Sequence, residues 1–568
     1  MRNAAFLLAW LVATGCIFIR LGELPLIDPD EGRNTEIARE MKDSCSFVVP
    51  LYNGMPYLDK PAFYFAMVAA SLSLFGENET AARLLSAIFG MLTLILVYLF
   101  CHHTYGQRAA ILAVLVIGTI PLFIAFSRIV NFDMALTFFV CVALLAGYMA
   151  LEKSDEPVAG KWYRLTALAA ALATLVKGPV GFMLPLLGLL VYGRIERLKG
   201  GGRFFSPVNL LVFLAPVLAW FLAVTWQRPD FPYYGIVKES LERFTASAAF
   251  HRGAPVYYYI PVIAGVFFPW SLLLPEMIRR GWQQRNRATR ADRILALFAI
   301  VVVSFFTISR SKLPGYILPG VVALGMLTAR MFDLAMANSA GGAAQLIRNG
   351  TLLLVIVCGF AVGLLAANQL QALSLQAMFS IRQVEFERVQ VMFQPLLIVL
   401  LVITVVALAA RLSNSILAML AVFALLPLLL LGIGARELHE YAERASSRKL
   451  AQSIQAHTPA GTEVACYRCF APGLPYYLRQ KVAVITAEGH ETTSNYIPFT
   501  LQKSSQWPEQ MVPLDEAEQW IAVRKQPVFL LSHGKDQQLK DLTALRGATL
   551  QELTQGWWGA LIPAQGSH

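Results

Sequence analysis

Stretches of about 17 to 25 mostly apolar residues, the length that lets a helix cross a bilayer, recur about thirteen times along this chain. They fall near 4–22, 82–101, 108–126, 132–150, 163–176, 179–193, 208–225, 257–275, 294–309, 314–331, 351–367, 393–410 and 415–434. Nothing constrains the fold more. In hydrocarbon each backbone N–H and C=O must be satisfied within the segment, and helices do this locally. Only 15% of the 568 residues are charged while 57% are hydrophobic, against about 25% charged in a soluble domain. The fold class read from this is mainly α, a polytopic transmembrane helical protein of about thirteen spans. Arg2 and the long apolar run after it look like a signal sequence without a small-residue cleavage site, so the first span is expected to stay.

Charge sets the orientation. Arg194, Arg197, Lys199 and Arg203 follow the sixth span, and Arg279, Arg280, Arg285, Arg287, Arg290 and Arg293 the eighth. Such loops stay in the cytoplasm, which also explains a net charge of +11 without nucleic acid. Counting crossings puts the N-terminus inside and the segments 23–81 and 435–568 outside. Within the first, 34–44 reads as a short helix, and 62–75 is apolar but too short to span, suited to lying in the interface. Were it to span, both arginine-rich loops would be outside. The tail alternates helical and strand-like runs at 437–456, 463–467, 482–486, 514–525 and 527–532, as a small α/β domain does. The expected domains are therefore 1–434, transmembrane and catalytic with a long first external loop, and 435–568, a periplasmic α/β domain. With no G-x-G-x-x-G or P-loop, no nucleotide is expected. Cys466 and Cys469 lack a second pair to complete a zinc site and are read as a disulfide or two free thiols.

The same count collects Asp30, Glu31, Arg33, Asp59, Lys60, Arg128, Asp133, Lys177, Arg243, His251, Arg252, Arg310, Lys312 and Tyr316 at the external face. Charge near a membrane is costly unless paired or hydrated, so one-sided clustering calls for an anionic ligand or a mutual network. Each piece has a plainer explanation. Asp28-Pro29-Asp30-Glu31-Gly32-Arg33 could be a helix terminus with charged trim, Lys60 could snorkel, Lys177 could anchor a turn and His251 could be a loop histidine. Arg310-Ser-Lys312-Leu-Pro-Gly-Tyr316 is more specific, offering two cations and a phenol to one phosphate.

Taken together, the acidic D-E-x-R motif after the first span, Asp59-Lys60-Pro61, Asp133, Val176-Lys177-Gly178, the Arg243 to Pro261 stretch with His251-Arg252, and Lys312-Leu-Pro-x-Tyr316 resemble the lipid A aminoarabinose transferases. These belong to the polyprenyl-phosphate-sugar-dependent membrane glycosyltransferases of GT-C type, which include protein O-mannosyltransferases. The likeness runs from the first span to about residue 330, and rests on architecture beyond it. It implies transfer of 4-amino-4-deoxy-L-arabinose from undecaprenyl phosphate to a lipid A phosphate, at the periplasmic side of a bacterial inner membrane. The modification would lower the negative charge of lipopolysaccharide and give resistance to polymyxin-like peptides. Carried over by motif, Asp30 is the acidic residue of the reaction centre, with Glu31 and Asp133 also catalytic. Arg33, Lys60, Lys177, Arg243, Arg252, Arg310, Lys312 and Tyr316 would serve the donor phosphate. Asp59 and His251 would hold one divalent metal, zinc or magnesium or manganese, although Asp59 stands where glutamate is expected. The implied partners are the lipid-linked donor, lipid A and membrane lipids, with the protein acting as a monomer.

The leaving group is a phosphate whose charge grows as the glycosidic bond breaks, so preorganised cations should supply the main acceleration. A phosphate acceptor is already ionised, whereas a hydroxyl acceptor needs a base. Asp30 is thus either a base or an orienting group for the sugar. Two other readings stay in view, a transferase acting on a protein or glycan hydroxyl and a lipid-linked sugar flippase. Transporters tend to place charge at the midplane between repeated halves; here charge gathers at one face and no repeat is evident. A scaffold with a periplasmic interaction domain leaves the buried cations unexplained.

Overall fold

A computed structural model describes residues 2–242, 254–283, 288–380, 382–504, 506–544, 546–554 and 556–564. The chain opens with α1 (Arg2–Phe18) and a connecting segment holding α2 (Asp30–Ser44), β1 (Leu51–Tyr52), β2 (Met55–Pro56) and α3 (Ala62–Phe75). The bundle continues through α4 (Glu79–Tyr105), α5 (Gln107–Gly118), α6 (Pro121–Phe126), α7 (Phe132–Glu152), α8 (Ala159–Lys177), α9 (Val180–Ile195) and α10 (Pro207–Gln227). Helices at Arg290–Ile308, Leu318–Ala337, Gly342–Gln369, Phe393–Leu412 and Ile416–Arg444 complete it.

Eight described helices are long and apolar enough to cross a membrane, or nine with a bent pair counted as one span. The other expected spans fall on α1, α5 with α6, α8 and α9, which are shorter or more polar. Two expected spans are broken. The third stops at Gly118 and restarts at Pro121, a residue suited to the first helical turn because it has no N–H to lose. The eighth is two helices, Val256–Val266 and Trp270–Gln283, meeting at 113° around Pro269. Elsewhere the ends are locally encoded: Asn78 caps α4 by accepting from Ala81 N at 2.9 Å, and Asn131 caps α7 from Asp133 N at 3.0 Å.

Ionic contacts tie helix ends together at the end of the bundle that carries the arginine-rich loops. Arg290 meets Glu152 at 2.9 Å, Arg293 meets Glu196 at 2.6 Å, and Arg108 and Arg330 both reach Asp333 at 2.6 Å. The charged motifs and the tail occupy the opposite end.

The helix from Ile416 runs unbroken to Arg444, so the expected boundary at 434 falls inside it. The tail then forms one six-stranded sheet ordered β5-β4-β3-β6-β8-β7, with β3 (Glu463–Tyr467), β4 (Ala483–Thr486), β5 (Met511–Pro513) and β6 (Val528–His533) parallel. β8 (Trp557–Ile562) runs antiparallel between β6 and β7 (Gln551–Thr554). The near-continuous apolar runs of β3, β4 and β6 are those of strands buried on both faces.

This domain sits on the segment that holds α2, β1 and β2. The Asn53-Gly54 turn joining β1 and β2 has φ of 53° and 77°, the left-handed pair a tight hairpin needs. Asn53 exchanges hydrogen bonds with the backbone of Val482, at 2.7 and 2.8 Å. Tyr52 donates to Pro472 O at 3.1 Å, and Leu26 N donates to Tyr477 Oη at 2.8 Å. Gly32 on α2 meets Gly473 backbone to backbone; a Cβ on Gly32 would lie 2.6 Å from Gly473 Cα. Beside them Asp28, read from sequence as a helix-ending residue, accepts from Ser447 Oγ, and its second oxygen is buried with no hydrogen-bond partner among the described residues.

Burial pushes the Asp28 carboxyl up to about 7, only partly offset by Ser447. Because the folded-state value lies above the unfolded one, its contribution is full below about pH 4 and is lost as pH rises through about 7. Asp28→Asn should raise the thermal midpoint in detergent by several degrees at pH 8 and leave it unchanged at pH 4.

Candidate active site

α2 begins at Asp30, not near residue 34 as its sequence pattern suggests, so the acidic motif is the helix's first turn. Carboxylates are favoured there by the helix dipole. A helix turns about 100° per residue, and consecutive residues of the motif therefore face different surroundings.

Glu31 points into the protein. Its carboxylate pairs with Arg83 of α4 at 2.7 and 2.8 Å and accepts from Ile27 N and Val130 N, both at 3.0 Å. Arg83 also donates to the carbonyls of Leu21, Leu24 and Pro25. Both side chains are almost fully buried. Glu31 is thus corrected from a catalytic candidate to a clamp: its four acceptor sites are spent on protein donors.

Arg33 is also buried. One terminal nitrogen pairs with Asp30, and the other donates to Thr493 O at 3.3 Å and Thr493 Oγ1 at 3.2 Å. Its guanidinium lies 5.8 Å from the Tyr57 ring centroid. Expected as an open phosphate ligand, it instead orients Asp30, whose side chain is 49% exposed.

Asp59 accepts from Tyr234 Oη, from Asn495 N at 2.9 Å and from Tyr496 N at 2.9 Å. It thereby caps the tail helix Tyr496–Leu501 from across the interface. Burial and the adjacent Asp59 hold the Tyr234 phenol well above its usual range, so it stays a donor. Lys60 pairs with Glu239 and donates to its neighbour's carbonyl, Asp59 O, at 2.6 Å. Tyr234 and Glu239 lie on the π-helix Tyr234–Glu242, a conformation that frequently marks functional sites.

A second group lies where α7, α8 and the 310 turn Pro314–Ile317 meet. Lys177, at the last turn of α8 before Gly178 (φ 82°), pairs with Asp133. Its Nζ is 4.6 Å from the Tyr316 ring centroid, a cation–π contact. Lys312 is buried and folds back onto Ser309 O at 2.6 Å, while Arg310 is exposed. Of the expected trio Arg310, Lys312 and Tyr316, Lys312 serves its own loop, while Tyr316 faces Lys177 and Arg310 stays exposed.

Arg243, His251 and Arg252 lie outside the described residues. Among the described residues no three His, Cys, Asp or Glu side chains converge as a metal site. Asp59 takes two protein donors on Oδ1 and one on Oδ2, which leaves one acceptor position of its carboxylate for a metal; its expected co-ligand, His251, lies outside the described residues. Arg83, Tyr57, Tyr234, Glu239, Thr493 and Asn495 were not singled out from sequence. Only Arg83, a charge at the mouth of an apolar helix, carried a signal.

These features define the class, a polytopic helical membrane protein with the fold of the polyprenyl-phosphate-dependent glycosyltransferases. Over 99% of its length the chain matches ArnT from Cupriavidus metallidurans bound to undecaprenyl phosphate, with a TM-score of 0.79, 26% identity and 98% of that chain covered. The apo form of the same protein gives a TM-score of 0.77 at 26% identity, over 98% of this chain and 97% of that one. In sequence it is 30% identical over 352 residues to undecaprenyl phosphate-alpha-4-amino-4-deoxy-L-arabinose arabinosyl transferase 1 of Pseudomonas fluorescens. That match spans 61% of this chain and 62% of the relative's length. Residues 59–225 match the dolichyl-phosphate-mannose-protein mannosyltransferase family. The resemblance read from the motifs is borne out, and in the structure it extends well beyond residue 330.

Proposed function

We propose that this protein transfers 4-amino-4-deoxy-L-arabinose from undecaprenyl phosphate to a lipid A phosphate, acting as a monomer at the periplasmic face of a bacterial inner membrane. The observation that carries this reading is the full-length agreement with a protein whose structure holds undecaprenyl phosphate. The charged end of the bundle supplies the chemistry. As the bond between the sugar's anomeric carbon and the carrier phosphate breaks, the electron pair stays on phosphate oxygen. Lys60, Lys177 with Tyr316, and Arg310 are the groups we assign to that growing charge. The two lysines are already oriented by Glu239 and Asp133, so little reorganisation accompanies the reaction.

The acceptor phosphate oxygen, already ionised, forms the new bond without a base. Asp30 then serves as counter-charge to the sugar's ammonium. Adding a cationic sugar to lipid A would reduce its negative charge and its attraction for polymyxin-like peptides.

A second reading, transfer to a protein hydroxyl, is favoured by the family match at 59–225. Asp30 would then take the hydroxyl proton. Mass spectrometry of lipid A and of exported proteins, from cells with and without this chain, separates the two. Aminoarabinose on lipid A is the expected result. Sugar on protein alone moves the conclusion to the second reading, and no change in either overturns both.

A further inference from the structure

Thr493, in the loop between β4 and the helix Tyr496–Leu501, has φ 57° and ψ 18°. A β-branched residue in this region is a steric outlier and persists only where its surroundings over-determine it, most often at a functional site. Both flanks here are fixed. On one side Thr486, ending β4, donates to Glu491 at 2.6 Å and accepts from Gly489 N at 2.9 Å. On the other, Asp59 takes the N–H groups of Asn495 and Tyr496.

The conformation presents both Thr493 oxygens to one nitrogen of Arg33, whose other terminal nitrogen holds Asp30. Arg33 Nε is buried with no hydrogen-bond partner among the described residues. The plane of the guanidinium is therefore set largely from its two ends, and Thr493 is one of them.

We infer that Thr493 is a positioning residue of the candidate active site: acting through Arg33, it fixes the Asp30 carboxylate and makes the tail domain part of the reaction centre. The kinetic side of this inference rests on the proposed function. Thr493→Val keeps the shape and the carbonyl but loses Oγ1, while Thr493→Ser keeps the hydroxyl. Losing one hydrogen bond to a charged group corresponds to about a tenfold effect.

The test uses the purified full-length protein with undecaprenyl-phosphate-linked aminoarabinose and lipid A, and hydrogen exchange of the 30–33 amides in the same samples without substrate. Expected for Thr493→Val are kcat lowered about tenfold, donor KM within about twofold of wild type, and faster exchange at 30–33. Thr493→Ser should match wild type in all three. Wild-type kcat and exchange in Thr493→Val overturn the inference. So does an equal loss of kcat, affinity and thermal midpoint in both variants, the mark of a merely structural contact. If wild type transfers no sugar, the proposed function falls, and exchange decides alone: unchanged protection in Thr493→Val then overturns the positioning role.

Discussion

Asp30→Asn is expected to lower sugar transfer by about a hundredfold or more while the protein still inserts, purifies and folds. Asp30 is the part of the acidic motif that faces outward, with a half-exposed side chain and, among the described residues, an ion pair to Arg33. The substitution keeps an oxygen for Arg33 and removes only the charge. Around the guanidinium, the two Thr493 oxygens and the Tyr57 ring remain. Asp30 is half-exposed while Arg33 is buried, and the asparagine keeps an oxygen on the guanidinium, so the cost should stay below the roughly 3–5 kcal/mol of breaking a fully buried pair and the folded state should survive. Transfer assayed on purified protein, with a thermal midpoint from the same preparation, checks both halves. Near-wild-type turnover would remove Asp30 from the reaction centre.

Arg83→Met should have the opposite profile. The variant leaves the Glu31 carboxylate buried without its cation and strips the carbonyls of Leu21, Leu24 and Pro25 of their donor. Breaking a buried pair from one side costs about 3–5 kcal/mol, a large share of the roughly 5–15 kcal/mol that holds a domain folded. Recovery of monodisperse protein in detergent should collapse, and any that survives should melt far below wild type. Adding Glu31→Gln should restore part of the loss, because the glutamine still accepts from Ile27 N or Val130 N without leaving a buried charge. The double-variant cycle measures that coupling directly, and additive losses would show that the clamp does not act as a pair.

Asp30 and Glu31 are adjacent, carry the same charge and look alike to any reading by motif. The first faces the site and the second faces Arg83, 52 positions away. No spacing rule announces that partner. The same holds for Arg33 and Thr493, 460 positions apart, and for Asp59 and the tail amides it caps. Lys177 was placed at a turn before a proline, and its position at the end of α8 follows from that local pattern. Its pairing with Asp133 and its contact with Tyr316 do not.

The tail divides in a similar way. β3 coincides with the apolar run at 463–467, and β4 and β6 lie within or beside 482–486 and 527–532. Each is apolar enough to show by itself. β5, with three residues, and β7, with an exposed and half-buried pattern, carry too little periodicity to show. The hairpin at Asn53-Gly54 that docks the tail was not read from the sequence, and neither was what it docks against.

The sequence by itself determined a helical membrane protein, the approximate places of most of its helices, and a set of charges gathered at one end. Run length, caps and loop charge are local properties, and each acts on the chain where it is written. Only the tertiary structure decided that Glu31 and Arg83 clamp the fold, that Arg33 and Asp59 are held by the tail, and that Asp30 is left facing outward. Whether a charged side chain serves stability or chemistry depends on what has already taken its hydrogen bonds. Those partners arrive from distant parts of the chain as it folds.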